Sequence, residues 1–241
     1  MGHRRSASCL VSLAILLALA GCSGSTSVPT PQGGEAFRRA TCLGRGINLG
    51  NALEAPREGD WGVVLREEYF QAIQETGFNS VRIPVRWSAH AGTAAPYTID
   101  PDFFARVDWA VKQALSRRLV VVLNMHHYDE IFADSTAHWG RFVALWTQIA
   151  EHYKDYPPEL YFEPLNEPHG DLDAGRWNRL FGEALAAIRR TNPKRMVVVG
   201  PAEWNGIYRL HSLELPEEDR GLIVTVHYYE PFRFTHQGAE W

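Results

Sequence analysis

Cysteine is scarce in this chain of 241 residues, with only Cys9, Cys22 and Cys42. So few exclude a disulfide-stapled scaffold and a cysteine-built metal centre. A basic surplus is missing too: 24 Lys and Arg stand against 28 Asp and Glu, for a formal charge of -4. Arginines and acids are interspersed, so a nucleic-acid partner is not expected. There is no His-x-x-x-His spacing, and neither a metal nor any other cofactor is expected. The apolar run from Cys9 to Ala20 is too short to span a bilayer.

What is present begins with a leader. His3, Arg4 and Arg5 form a positive segment, the run to Ala20 follows, and small residues then mark a cleavage point. Leu19-Ala20-Gly21-Cys22 resembles a bacterial lipobox, which implies cleavage before Cys22 and lipidation of its thiol. The expected organisation is a signal peptide over 1–21, a Ser/Thr/Pro/Gly-rich flexible tether over 22–38 and one domain over 39–241. The protein is expected to be exported and lipid-anchored to a bacterial membrane or cell surface, touching the membrane only through that anchor, or else secreted. Cys42 then has no disulfide partner and is expected to be a small buried residue.

From Cys42 onward, β-rich runs alternate with amphipathic segments. Strands are expected at Leu43 to Leu49, Ser80 to Val85, Leu119 to Met125, Leu160 to Leu165, Arg195 to Gly200 and Leu222 to His227. Their near-continuous apolar character fits a parallel sheet buried on both faces. Asp100 and Pro101 read as the N-cap and first turn of a helix burying Phe103, Phe104, Val107, Val111, Ala114 and Leu115. Further stripes run through Trp139, Phe142, Val143, Trp146, Ile149 and Tyr153, and through Trp177, Leu180, Phe181, Ala184 and Ile188. Six strand-helix repeats predict the α/β class and a (β/α)8 barrel, with its chemistry at the C-terminal strand ends. Such a barrel needs roughly 250 residues, so about two of its eight units are expected to be missing.

One strand end stands out. Leu160 to Leu165 runs into Asn166, Glu167, Pro168 and His169, which sets a carboxylate beside an amide at the rim and suits a general acid for glycoside hydrolysis. The same rim collects Asn48, Asn51 and Glu54 after the first strand, Arg82 on the second, and Asn124, His126 and His127 at the third. Glu203 and Trp204 follow the fifth strand, His227 and Tyr229 the sixth. Glu163 shares a face with Glu167 but lies roughly 13 Å lower at about 3.3 Å per residue. It is expected to be an interior residue paired with Arg82 or a histidine. His126 and His127, as neighbours on a strand, are expected to point to opposite faces. Pro164 removes an amide donor and predicts a local irregularity.

Gly46-Ile47-Asn48-Leu49-Gly50-Asn51, Val81-Arg82-Ile83-Pro84, Asn124-Met125-His126-His127-Tyr128, Leu165-Asn166-Glu167-Pro168 and His227-Tyr228-Tyr229 resemble, in order, the strand-end motifs of glycoside hydrolase family 5, the cellulase and mannanase family. The resemblance runs from about Leu43 to the last residue and implies a retaining β-glycanase on a (β/α)8 barrel. It places the acid/base on Glu167 and the amide that binds the sugar 2-hydroxyl on Asn166. Arg82 falls on the arginine that supports the nucleophile, His126 and His227 on the paired histidines, and Tyr229 on the tyrosine that bonds the nucleophile. Sugar contacts are expected from Asn51, Glu54, His127, His236 and Trp241.

No residue matches the nucleophile, which the family carries on its seventh strand. Glu203 and Glu230 are the weak substitutes. The expected function is an endo-β-1,4-glycanase of cellulase type, acting on a β-linked plant polysaccharide, a monomer when complete and inactive as this chain. The alternative is a surface-anchored polysaccharide-binding protein without catalysis.

Overall fold

Six short strands, each parallel to its neighbours, form one sheet in chain order within a computed structural model that describes residues 34–239. The elements are α1 (Glu35–Leu43), β1 (Gly46–Asn48), α2 (Glu67–Glu75), β2 (Ser80–Val85), α3 (Pro101–Ser116), β3 (Val120–Met125), α4 (Asp129–Ala133), α5 (Ser135–His152), β4 (Leu160–Glu163), α6 (Ala174–Arg189), β5 (Val197–Val199), β6 (Leu222–Val224) and α7 (Phe232–Thr235). The α/β class is as expected. Among the described residues the sheet stays open, with β1 and β6 at its edges.

Alternation along each strand divides two environments. Val81, Ile83 and Val85 of β2, Val121, Leu123 and Met125 of β3, and Leu160 and Phe162 of β4 join the large core beneath the helices. The intervening Val120, Val122, Tyr161 and Val198 form a separate inner cluster. Side chains at odd and even positions of a strand face opposite ways, so Arg82, Asn124 and Glu163 share this inner side. Helices α3, α5 and α6 cover the outer side with the expected stripes, including Phe103, Val107, Phe142, Trp146, Trp177 and Phe181. Asp100 caps α3 by accepting from the Asp102 amide at 2.9 Å, and Pro101 follows in the first turn.

Several boundaries depart from expectation. The helix α1 starts at Glu35, inside the segment expected to be a tether, and it packs Ala36 and Leu43 on the inner cluster. Tyr161 donates to Arg39 O at 3.0 Å and Ser80 to Leu43 O at 2.7 Å, fixing α1 at the N-terminal ends of the strands. Leu43 therefore ends a helix rather than opening a strand. Cys42 is exposed on α1, not buried. The fourth strand stops at Glu163 because Pro164 has no amide to offer the ladder. Between β5 and β6 there is only a 3-10 turn, Ile207–Ser212, with no buried residue, so the repeat of helix after strand fails there. The leader, Cys22 and Trp241 lie outside the described residues.

Arg195 anchors the outer base. It is 7% exposed, and its guanidinium donates to the carbonyls of Tyr153 (2.9 Å), Tyr156 (3.0 Å), Pro157 (2.5 Å) and Leu160 (3.0 Å) and to Asn192 Oδ1 (3.2 Å). Burial pulls its pKa down to about 10. Arg195→Met would strand several buried acceptors, and we expect urea denaturation to show a loss of about 3 kcal/mol in unfolding free energy.

Candidate active site

The inner face opens into a cleft of about 610 Å³, walled by Asn48, Glu54, Arg82, His126, Glu163, Asn166, Glu167, His227, Tyr228 and Tyr229 among others. A larger hollow of about 1340 Å³ between α6 and residues 214–221 shares none of these residues.

Arg82 is the hub of the cleft floor. Its Nε donates to Glu163 Oε2 at 2.6 Å and its Nη2 to Glu163 Oε1 at 2.7 Å, a bidentate pair. The same Nη2 reaches Asn166 Oδ1 at 2.8 Å, and Nη1 reaches Asn48 Oδ1 at 3.3 Å. Glu163, 2% exposed, is thus the interior partner of Arg82 that its position on the strand predicts. Burial alone would lower the guanidinium's pKa, but the Glu163 carboxylate outweighs it and holds the group above its ordinary value. With its oxygen held by Arg82, the Asn166 amide keeps its Nδ2 as the donor for a ligand.

Glu167 stands past the end of β4 with φ at 47°, a left-handed conformation that is uncommon away from glycine. The amide of Asn166 donates to Met125 O at 2.9 Å, which ties this turn to β3. Two buried indoles brace the rim from outside. Trp146 Nε1 donates to Pro164 O and Trp177 Nε1 to Gly200 O, each at 2.9 Å. At the carboxylate, His227 Nδ1 lies 2.5 Å from Glu167 Oε1. The Tyr229 phenol is raised by burial and further by the Glu167 carboxylate beside it.

The expected sugar contacts fare less uniformly. Glu54 lines the cleft, but it is 4% exposed and its carboxylate accepts the backbone amides of Asn51 and of Ala52, the latter at 2.9 Å. It braces a turn in which Asn51 is left-handed at φ 64°. His127 does not point away from His126: both follow the end of β3, and their rings meet edge to face at 4.8 Å. Strand alternation no longer applies beyond Met125. Trp61, which carried no signal in the sequence, packs edge-on against His127 at 5.4 Å and is 42% exposed. His236 stacks on Phe232 at 3.9 Å beside Tyr229 and is not among the cleft-lining residues.

Neither weak substitute for the nucleophile reaches the cleft. Glu203 is paired with Arg209 at 2.6 Å, and Glu230 accepts the Phe232 amide at 3.2 Å. The described carboxylates lining the cleft are Glu54, Glu163 and Glu167. Only Glu167 is neither bound bidentately by an arginine nor tied up by backbone amides. Among the described residues, no three or more His, Cys, Asp or Glu are grouped as metal ligands.

His126 Nδ1 sits 2.8 Å from Asn124 Oδ1, and burial, followed by the Arg82 charge, pushes its pKa down from 6.5 to about 2. The unfolded chain therefore takes up this proton well before the folded protein does. Its contribution to stability is complete above pH 6.5 and is lost as pH falls toward 2, at ~1.4 kcal/mol per pH unit. Denaturation at pH 7, 6 and 5 should show this component, and His126→Gln should remove it.

Similarity to known proteins accords with this geometry. The model of the family "Cellulase (glycosyl hydrolase family 5)" matches residues 44–241. Endoglucanase H of Acetivibrio thermocellus is 41% identical over 215 residues, covering 88% of this chain and 24% of that protein. Endoglucanase A of Ruminococcus albus is 31% identical over 223 residues, covering 81% of this chain and 61% of that protein. The chain thus spans less than two thirds of either relative. Among solved structures, an endoglucanase from Thermotoga maritima superposes with a TM-score of 0.84 at 56% identity, over 86% of this chain and 67% of that one. The same enzyme, at 55% identity, has been crystallised with mannotriose. With a family match over most of its length and an inner strand-end cleft to go with it, the chain belongs to the cellulase family, glycosyl hydrolase family 5.

Proposed function

We propose that the cleft hydrolyses β-1,4-glycosidic bonds within a polysaccharide, with a β-1,4-glucan as the first substrate and mannan as the second. The observation that carries this is Glu167, a cleft carboxylate held by His227 and standing beside an Asn166 amide whose oxygen is already engaged by Arg82. In this reading Glu167 protonates the glycosidic oxygen as its bond breaks and then takes a proton from water. Asn166 Nδ2 is left to bind a sugar hydroxyl. The relatives named as endoglucanases and the mannotriose complex support this choice of substrates.

A double displacement also needs a carboxylate roughly 5 Å from the acid/base. Glu163 and Glu54 are committed elsewhere, so the described residues supply the acid/base half of the pair. One alternative is a protein that binds polysaccharide without cutting it. The leader and Cys22 support an exported, lipid-anchored location, for which globomycin-sensitive processing and its loss in Cys22→Ser would be the measurement.

The test is hydrolysis of carboxymethylcellulose, mixed-linkage β-glucan, mannan and xylan by a form of the protein that also carries the second carboxylate, with the product anomer followed by NMR. Cleavage of a glucan or mannan with retention is expected. Glu167→Gln should slow substrates with poor leaving groups by about 10²–10⁴-fold, far more than activated aryl glycosides, which need no protonation. Equal losses on both would remove the acid/base role, and binding without turnover would leave the non-catalytic alternative.

A further inference from the structure

After β5 the chain turns through Glu203, Trp204 and Asn205 with φ of 58°, 59° and 55°. Left-handed backbone is unfavourable for residues with a Cβ, least so for Asn, and three in succession call for a compensating contact. The turn drives the Asn205 side chain inward to 0% exposure. There it fills the space that a Cβ on Gly200 would need, with Asn205 atoms 2.5 Å from that point. Its Nδ2 faces His227 Nε2 at 3.4 Å, and its carbonyl accepts from the His227 amide at 2.9 Å. The other ring nitrogen of His227 lies 2.5 Å from Glu167 Oε1.

We propose that Asn205 is a positioning residue: its amide donates to His227 Nε2, so the ring hydrogen sits on Nδ1 facing Glu167 Oε1, and the acid proton of Glu167 is left to Oε2. An imidazole with one hydrogen offers one donor and one acceptor, and the bond at one nitrogen decides the role of the other. The Asn205 N–H directed at Nε2 makes that nitrogen the acceptor. Nδ1 then donates to Oε1 whether Glu167 is carboxyl or carboxylate, so the same hydrogen bond serves both halves of an acid/base cycle. The other groups near His227 are His126, Tyr229 (rings 6.4 Å apart) and, through Glu167, Arg82. Among the described residues, only Asn205 bonds to Nε2. Its Oδ1 is buried without a partner. A reversed amide would set that oxygen on Nε2 and demand a hydrogen there, which makes the two arrangements distinguishable.

The last step rests on Glu167 being the acid/base; the tautomer does not. The probe is ¹⁵N-labelled histidine in the chain, read by two-bond nitrogen–proton NMR at neutral pH, with His227 assigned by its loss in His227→Gln. A protonated Nδ1 and a bare Nε2 are expected. Asn205→Asp keeps size and tolerance of the left-handed turn but has no N–H, and should place a hydrogen on Nε2, with or without the one on Nδ1. Asn205→Gly, which keeps the backbone and removes the amide, should give a mixture of tautomers and serves if the Asp variant misfolds. A hydrogen on Nε2 in the unaltered protein, or an Nε2 still bare in a folded Asn205→Asp variant, overturns the proposal. In an active form, Asn205→Asp should slow poor leaving groups about tenfold more than activated ones, the worth of one ordinary hydrogen bond. The expected tautomers without that difference would count against Glu167 as the acid and leave the role of Asn205 at His227 intact.

Discussion

The bidentate pair between Arg82 and Glu163 is the interaction on which the cleft depends. A guanidinium and a carboxylate taken out of water are tolerable only when paired and fully hydrogen-bonded. Here the fork also holds Asn48 and Asn166, so β1, β2 and β4 meet at one side chain. The pair keeps charge on an inner face whose other side chains include the apolar cluster of Val120, Val122, Tyr161, Met196 and Val198. Removing one partner would leave the other buried and unmatched, which is far costlier than never having had the pair.

Above that floor, precision comes from the outer layer. The indoles of Trp146 and Trp177 are parts of the helix core, yet each donates to a carbonyl at the far end of a strand. Packing of α5 and α6 therefore sets where the turns after β4 and β5 begin. Those two turns hold Glu167 and Asn205, both left-handed. Strain stored in such turns persists only where the surroundings over-determine it, and here the surroundings are large aromatic side chains buried in the helix core.

Much of the frame was legible in the sequence because each rule it used is local. Apolar runs such as Val120 to Leu123 located strands, Asp100-Pro101 located a helix start, and the four-residue spacing of Glu163 and Glu167 placed one below the other on one side. The misreadings arose where local rules end. Alternation was extended past Met125 to His126 and His127, although the strand had stopped. Glu54 resembled a sugar contact, but its carboxylate turns back onto the amides of Asn51 and Ala52. The helix at Glu35 was hidden by the Gly- and Ser-rich stretch before it, and it forms against Tyr161 and Ser80, contacts that no local pattern reveals. No local pattern marks Asn205 as a site residue, and only the fold shows that the turn after β5 delivers its amide to His227.

The alternation within the strands also governs which sequence changes this architecture can absorb. Deleting one residue between Leu160 and Glu163 would carry Phe162 toward the cleft and a carboxylate toward the helix layer, exchanging the two environments at once. Strand lengths can therefore change only in steps of two, while the turns beyond Glu163 and Val199 are under no such parity. Variation among such proteins should accumulate as insertions at the rim, where length is free, and leave the interior register untouched.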